Sequence, residues 1–92
     1  MKGQSFTVEY SKQFTNQLKK QSVKVQIKAK ERILAFCADK RQKQLRDHAL
    51  TGKYCGYRSI NITGDIRALY YEMDDGQIVI FAFLGTHSQL YG

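Results

Sequence analysis

The chain has 92 residues, 42% of them hydrophobic and 25% charged, and its 15 Lys and Arg outweigh 8 Asp and Glu to give a net charge of +7. This length supports one modest core, so residues 1–92 are expected to form a single domain, and the composition excludes an intrinsically disordered chain. No apolar run approaches the ~20 residues that cross a bilayer, and MKGQSFTVEY lacks the apolar core of a signal peptide, so the sequence predicts a cytoplasmic protein with no membrane partner.

The N-terminal part of the chain predicts one strand followed by two helices. SFTVEY alternates apolar and polar residues with the period of a half-buried strand. Ser11 and Ser22 can each cap a helix, the first over about 12–20. VKVQIKAK alternates like a strand, but ERILAFCA continues it with a helical composition, which favours a second helix. This helix is expected to bury an apolar stripe formed by Val23, Ile27, Lys30, Leu34 and Cys37.

The second half of the chain predicts a sheet. The basic segment DKRQKQLRDHALTGK is expected to form an ordered loop against it, anchored by Leu45 and Leu50. Strands are predicted over 54–62, 66–73 and 77–84, and the Asp-Gly pair at 75–76 is a strong hairpin signal. IVIFAFL is continuously apolar and should be a central strand. The expected fold is α+β: an N-terminal strand, a two-helix hairpin and a three-strand antiparallel meander, which together form one twisted sheet packed by the helices.

The cysteines give no sign of a metal centre. Cys37 and Cys55 lack CxxC spacing, which is typical of reduced thiols. Their separations from His48 and His87 match no zinc-ligand pattern. The sequence therefore predicts neither a metal nor another cofactor.

Three motifs follow one another between residues 45 and 92. They read "DH.L.G...GYR" from Asp47, "GD.R..Y" from Gly64 and "GTHS.LY" from Gly85. In this order and spacing they resemble the RelE superfamily of bacterial type II toxins, and within it the YafQ-like messenger-RNA interferases. The resemblance implies a RelE-like fold and a toxin that inhibits translation by cleaving mRNA in association with the ribosome.

The chemistry of such cleavage can be derived from the residues. Without a metal, RNA cleavage needs a base for the ribose 2′-hydroxyl, an acid for the departing 5′-oxygen and a cation for the charged phosphorane. An imidazole can serve either proton step near neutral pH. His48 and His87, the only histidines, both fall in the motifs and are the predicted pair, with acid and base not distinguished. Asp65 either orients an imidazole or only shapes its turn, and the resemblance implies a phosphate contact from Arg67.

Other residues are predicted to bind RNA. Tyr91 is either a platform that stacks on a base or a last hydrophobic contact, and Arg58 either reaches the same groove or lies at a strand edge. Basic residues are concentrated in positions 1–53, which hold 13 of the 15. Helix lysines in this region are either a phosphate-binding ridge or a solvated face. The further predicted contacts are Arg46, Lys53, Lys20, Lys24 and Lys28.

The chain departs from the YafQ pattern at Ser59 and Asn61, where the pattern has an acidic residue and a further histidine. Neither side chain can accept a proton near pH 7, although both can donate hydrogen bonds. His48 and His87 are then the only imidazoles for the two proton steps, and the departure predicts a low catalytic rate.

Two other functions remain open from the sequence. ParE-like toxins of the same superfamily inhibit DNA gyrase without cleaving anything, and the net charge by itself also suits a non-catalytic nucleic-acid-binding domain. The resemblance further implies a partner: an antitoxin encoded next to the toxin, with an acidic, partly disordered segment that folds over the basic groove.

Overall fold

The computed structural model describes residues 6–92, which form a five-stranded sheet and three helices. In chain order the elements are β1 (Thr7–Tyr10), α1 (Lys12–Lys19), α2 (Val23–Ala38), β2 (His48–Ala49), β3 (Arg58–Asn61), β4 (Ile66–Met73), β5 (Ile78–Thr86) and α3 (His87–Tyr91). The sheet order is β1-β5-β4-β3-β2. β1 pairs with β5 in parallel and every other pair is antiparallel. The predicted α+β architecture is confirmed.

The start of each long helix follows from its capping residue. The Ser11 hydroxyl accepts a hydrogen bond from the Phe14 amide at 2.9 Å, and Ser22 accepts one from the Val25 amide at 3.2 Å. Both caps satisfy a backbone donor that the helix leaves free. The predicted first helix, about 12–20, is confirmed to within one residue at its end, and α2 begins directly after its predicted cap.

The sheet has a different core on each face. On one face α1 and α2 cover an aromatic core, in which the Phe36 ring lies 4.9 Å from the Tyr70 ring and 5.4 Å from the Phe81 ring. Since strand side chains alternate, their neighbours point to the opposite face. There a smaller cluster of Tyr54, Leu69 and Leu90 is buried. Within residues 6–92, no helix has the length and apolar character needed to cross a membrane.

The predicted buried stripe of α2 is wrong. Val23, Ile27 and Leu34 are 70%, 58% and 65% exposed. The residues of α2 that are buried are Ala29, Ile33 and Phe36. The buried residues recur at spacings of three or four, as the members of the predicted stripe do, but on a different side of the helix. Periodicity alone therefore did not identify the side that meets the sheet.

The predicted loop before the meander also contains regular structure. β2 lies within it and pairs with β3 as an edge strand, and short 3₁₀ turns form at Lys43–Leu45 and Gly52–Tyr54. As a result β3 begins at Arg58, four residues later than expected. Leu45 is fully buried, as its predicted role as an anchor requires.

Candidate active site

A cavity of about 230 Å³ opens on the face of the sheet opposite α1 and α2. Its walls come from β2, β3, β4, α3 and the segment after β2, which are distant in the chain. The lining residues are His48, Leu50, Ser59, Arg67, Leu69, His87, Leu90 and Tyr91. Four predicted site residues, both histidines among them, thus meet in one cavity.

His48 is an exposed residue of the edge strand β2, and its ring orientation is set by the backbone. Its Nδ1 lies 2.7 Å from the carbonyl oxygen of Arg46. Because a carbonyl only accepts hydrogen bonds, this contact assigns the proton to Nδ1 and leaves Nε2 with a free lone pair in the neutral ring. His48 is also the cross-strand neighbour of Ser59, which is 3% exposed and lies in the same cavity.

His87 is the first residue of α3 and its ring is packed against a tyrosine. The imidazole stacks on Tyr91 with ring centroids 4.5 Å apart and 24° between the planes. Tyr91 in turn meets Tyr54 at 5.1 Å in an edge-to-face contact. The Leu90 carbonyl accepts hydrogen bonds from the Tyr54 hydroxyl at 2.6 Å and from Lys53 Nζ at 3.1 Å. These contacts hold the last turn of the described chain over the sheet.

The short helix α3 depends on its own capping contacts. The Thr86 hydroxyl accepts a hydrogen bond from the Gln89 amide at 3.1 Å, and the Gln89 side chain accepts one from the Thr86 amide at 2.9 Å. Gly85 allows the Gln89 side chain to lie close to the end of β5, since a Cβ at this position would lie 3.0 Å from Gln89 Oε1. A five-residue helix has little stability of its own. The position of His87 therefore depends on this reciprocal cap.

We expect Thr86→Val to lower any His87-dependent activity by about 5-fold, because loss of an N-cap hydroxyl costs about 1 kcal/mol. Hydrogen exchange at the amides of residues 87–91 should rise in the same variant. The matched control is Ser22→Ala, which removes the cap of α2 on the other face of the sheet. Equal losses of activity in the two variants would show that only global stability matters.

Arg67 enters the cavity from the middle of the sheet, where it lies opposite Asn61 on β3 and Gly85 on β5. Its Nη1 donates to the carbonyls of Thr63 at 3.3 Å and Gly64 at 3.0 Å. These contacts fix the guanidinium at the end of the β3–β4 turn. The group carries two further nitrogens that can donate to an anion.

Asp65 lies in the same turn and is exposed. Its Oδ1 accepts a hydrogen bond from the Thr63 hydroxyl at 3.1 Å, and that hydroxyl accepts one from the Ile66 amide at 3.0 Å. Asp65 is not among the residues that line the cavity. These contacts fit the conformational interpretation, and a catalytic role for Asp65 stays a prediction.

A match to a family model shows to which family this chain belongs. Residues 6–92 match the family model described as the bacterial toxin of type II toxin-antitoxin system, YafQ. The chain belongs to the YafQ toxin family. The predicted resemblance is thereby confirmed.

Individual YafQ relatives support this assignment. The chain is 36% identical over 90 residues to the "Putative toxin YafQ" of Haemophilus influenzae, a match that covers 89% of this chain and 88% of that protein. Among solved structures, YafQ from Escherichia coli BL21(DE3) has a TM-score of 0.71 at 24% identity and covers 95% and 99% of the two chains. The E. coli DinJ-YafQ complex has a TM-score of 0.69 at 25% identity, with the same coverage.

The remaining basic residues of this YafQ chain lie in several environments. Arg58 forms a 3.0 Å ion pair with Asp47, and Lys28 forms one of 3.5 Å with Glu31. Lys20 and Lys24 are exposed on the helical side of the sheet, and Arg46 is exposed in the turn before β2. Their contacts with RNA, and that of Lys53, stay predictions. The turn of Arg46 adjoins the cavity through its carbonyl contact with His48, and Lys53 adjoins it through its hydrogen bond to the carbonyl of Leu90, a lining residue.

Sequence reasoning missed α3, although its signal was present. THSQ at residues 86–89 has a threonine followed three residues later by glutamine, the signature of a reciprocal helix cap. Leu50, Leu69 and Leu90 were also not predicted as cavity walls. The places of Leu50 and Leu90 depend on which face of the sheet the segments after β2 and β5 cross, and Leu69 lies in β4 on that face.

Within residues 6–92 of this YafQ chain, no group of three His, Cys, Asp or Glu side chains is arranged to hold a metal ion. Cys37 is half-buried and Cys55 exposed, and both are free thiols. The polar groups that the cavity does offer are two imidazoles, one guanidinium and two hydroxyls, and this is a set suited to a phosphodiester.

Proposed function

We propose that the chain is an endoribonuclease that cleaves mRNA on the ribosome in the cytoplasm and so stops translation. The observation that carries this proposal is the convergence of His48, His87 and Arg67 in one cavity. They come from β2, α3 and β4, so the fold alone brings together two proton-transfer groups and a cation. Membership of the YafQ toxin family supports the same function.

The hydrogen bond of His48 favours one assignment of the proton steps. With Nδ1 directed to the Arg46 carbonyl, Nε2 is the atom free to take the proton of the ribose 2′-hydroxyl. The 2′-oxygen then attacks the adjacent phosphorus, and the bond from phosphorus to the 5′-oxygen breaks. His87, in the other wall, gives a proton to that oxygen. The products are a 2′,3′-cyclic phosphate and a 5′-hydroxyl end.

Arg67 and Tyr91 complete the proposed site. The guanidinium of Arg67 stabilises the negative charge that develops on the phosphorane oxygens, for which its planar donors are well suited. Tyr91 holds the His87 imidazole by stacking. In this arrangement it both orients the acid and flanks the place where an unpaired base would lie.

The direct test uses the purified chain with a defined mRNA, in the presence and absence of ribosomes. We expect new ends that carry 5′-hydroxyls and 2′,3′-cyclic phosphates. On ribosome-free mRNA the rate should be unchanged by EDTA, because side chains supply the acid, the base and the cation. Cleavage of ribosome-free mRNA that stops in EDTA and returns with a divalent cation would contradict the mechanism. Growth arrest with intact mRNA and damaged DNA would favour gyrase inhibition instead.

We also propose that a cognate antitoxin binds the helical side of the molecule. The similar DinJ-YafQ structure is a toxin-antitoxin complex, and this chain has a concavity of about 490 Å³ between α1 and α2. Its apolar lining includes Val23 and Ile27, which are 70% and 58% exposed. Exposed apolar surface of this kind marks an interaction site.

The charges around this groove indicate the chemistry of its occupant. Lys30 lines the groove, and Lys24 and Lys28 lie within one turn of Ile27 on the same helix. An amphipathic antitoxin segment would place apolar side chains in the groove and acidic ones beside these lysines. A second copy of this basic chain would bring like charges together instead.

A further inference from the structure

Directly before His48 the chain places a carboxylate that is held at both oxygens. The Asp47 side chain is only 8% exposed. Its Oδ1 accepts a hydrogen bond from Arg58 Nε at 3.0 Å, and its Oδ2 accepts one from the Tyr70 hydroxyl at 2.7 Å. A buried carboxylate is costly unless it is paired in this way. Asp47 therefore connects its turn to both β3 and β4.

The two donors to Asp47 are firmly placed. Tyr70 is fully buried in the aromatic core on the helical side of the sheet. Burial, and then its hydrogen bond to Asp47, raises the pKa of Tyr70 far above the ordinary range, so its hydroxyl stays protonated as a donor. Burial lowers the pKa of Arg58, but the interaction with Asp47 outweighs this and the net shift is upward. Both donors thus keep their protons near neutral pH.

Besides the buried Leu45 two residues earlier, the backbone around Asp47 has few other contacts that fix it. Arg46 adopts the left-handed conformation, with φ of 50° and ψ of 43°, a strained choice for a residue other than glycine. β2 consists of two residues at the edge of the sheet. The Arg46 carbonyl accepts the hydrogen bond from His48 Nδ1. The direction of that carbonyl therefore depends on what fixes the turn.

We propose that Asp47 is a positioning residue for His48. Its carboxylate connects residues 46–48 to β3 through the hydrogen bond from Arg58 and to β4 through the one from Tyr70. These two contacts fix the direction of the Arg46 carbonyl. The carbonyl in turn stabilises the Nδ1-protonated form of His48. Nε2 is then presented to the cavity. This inference rests on the proposed ribonuclease function and explains what orients His48, the proposed base. In this proposal the role of Arg58 is to hold Asp47 in place, and it does not require contact with RNA.

The test removes one donor and leaves the ring in place. Tyr70→Phe should lower kcat for mRNA cleavage by about 5- to 30-fold with KM within about 2-fold, as expected when a hydrogen bond to a charged group no longer orients the base. In the free protein, the ¹⁵N shifts of the His48 imidazole should move from those of a fixed Nδ1–H form toward the average of exchanging tautomers.

Two further variants make the test specific. Asp47→Asn should change the same ¹⁵N shifts. This second variant keeps the test valid if the Tyr70→Phe protein does not fold. Tyr10→Phe is the matched control, since it also removes a tyrosine hydroxyl but lies on β1, outside the cavity lining. Unchanged His48 shifts and kcat in folded Tyr70→Phe and Asp47→Asn proteins would overturn the proposal. If even the wild type cleaves no RNA, the proposed function fails, and the ¹⁵N shifts alone decide whether Asp47 orients His48.

Discussion

Replacing His87 by glutamine is expected to slow mRNA cleavage by about 10² to 10⁴-fold, the range that one general acid or base contributes. The side chain is exposed at the start of α3 and forms part of the cavity wall. Glutamine keeps a polar side chain there but cannot give a proton to the leaving 5′-oxygen. The measurement is single-turnover cleavage of a defined mRNA, together with growth inhibition after induced expression.

The same substitution should leave the fold intact. Truncation of an exposed side chain changes the free energy of unfolding by about 1 kcal/mol at most, so the Tm and antitoxin binding should stay close to wild type. Ser88→Ala is the matched control, because Ser88 is the exposed next residue of α3 and lies outside the cavity lining. A folded His87→Gln protein with full toxicity would exclude the proton-transfer role.

A second large effect is expected in the groove between α1 and α2. Ile27→Glu should weaken binding of the cognate antitoxin by about 10²-fold, since it places a charge on apolar surface and opposes the acidic segment proposed to bind there. Ile27 is 58% exposed, so the folded state should tolerate the change. Cleavage by the free protein should be unchanged, because α2 lies on the other face of the sheet from the cavity.

Titration calorimetry with the purified antitoxin measures this effect. Met73→Glu is the matched control: it introduces the same charge at an apolar side chain that is 48% exposed, but at the end of β4 and outside the groove. Wild-type binding should also weaken with salt, because lysines flank the groove. Equal losses in both variants, or an affinity unchanged up to ~0.5 M salt, would exclude this docking mode. If the free chain instead forms a dimer and Ile27→Glu dissociates it, the occupant of the groove is a second copy of the chain.

Much of the fold could be predicted because its signals are local. Ser11 and Ser22 cap helices through hydrogen bonds to amides three residues later, and such contacts need no tertiary partner. The strand over 66–73 was predicted with its observed limits. β2 was missed since a strand of two residues has no period to detect, and it exists only because β3 pairs with it.

The site was predictable in its residues but not in its arrangement. Both histidines and Arg67 were identified from motifs and from the chemistry of phosphodiester cleavage, and the structure places all three in one cavity. The contact of His48 with the Arg46 carbonyl carries no sequence signal. The proposed assignment of His48 as base therefore rests on the turn before β2, and the sequence alone left base and acid undistinguished.

By itself the sequence determined the class of fold, the family and the residues of the candidate site. Caps, apolar runs and motif spacing depend on neighbours in the chain, so they can be read along it. Only the tertiary structure decided which side of α2 is buried, because the predicted stripe and the buried residues both have helical spacing. The choice depends on the fit of Ala29, Ile33 and Phe36 to the sheet. The same packing left Val23 and Ile27 exposed as a groove. It also brought His48 and His87 together from opposite ends of the meander, since contacts between distant segments form only when the sheet closes.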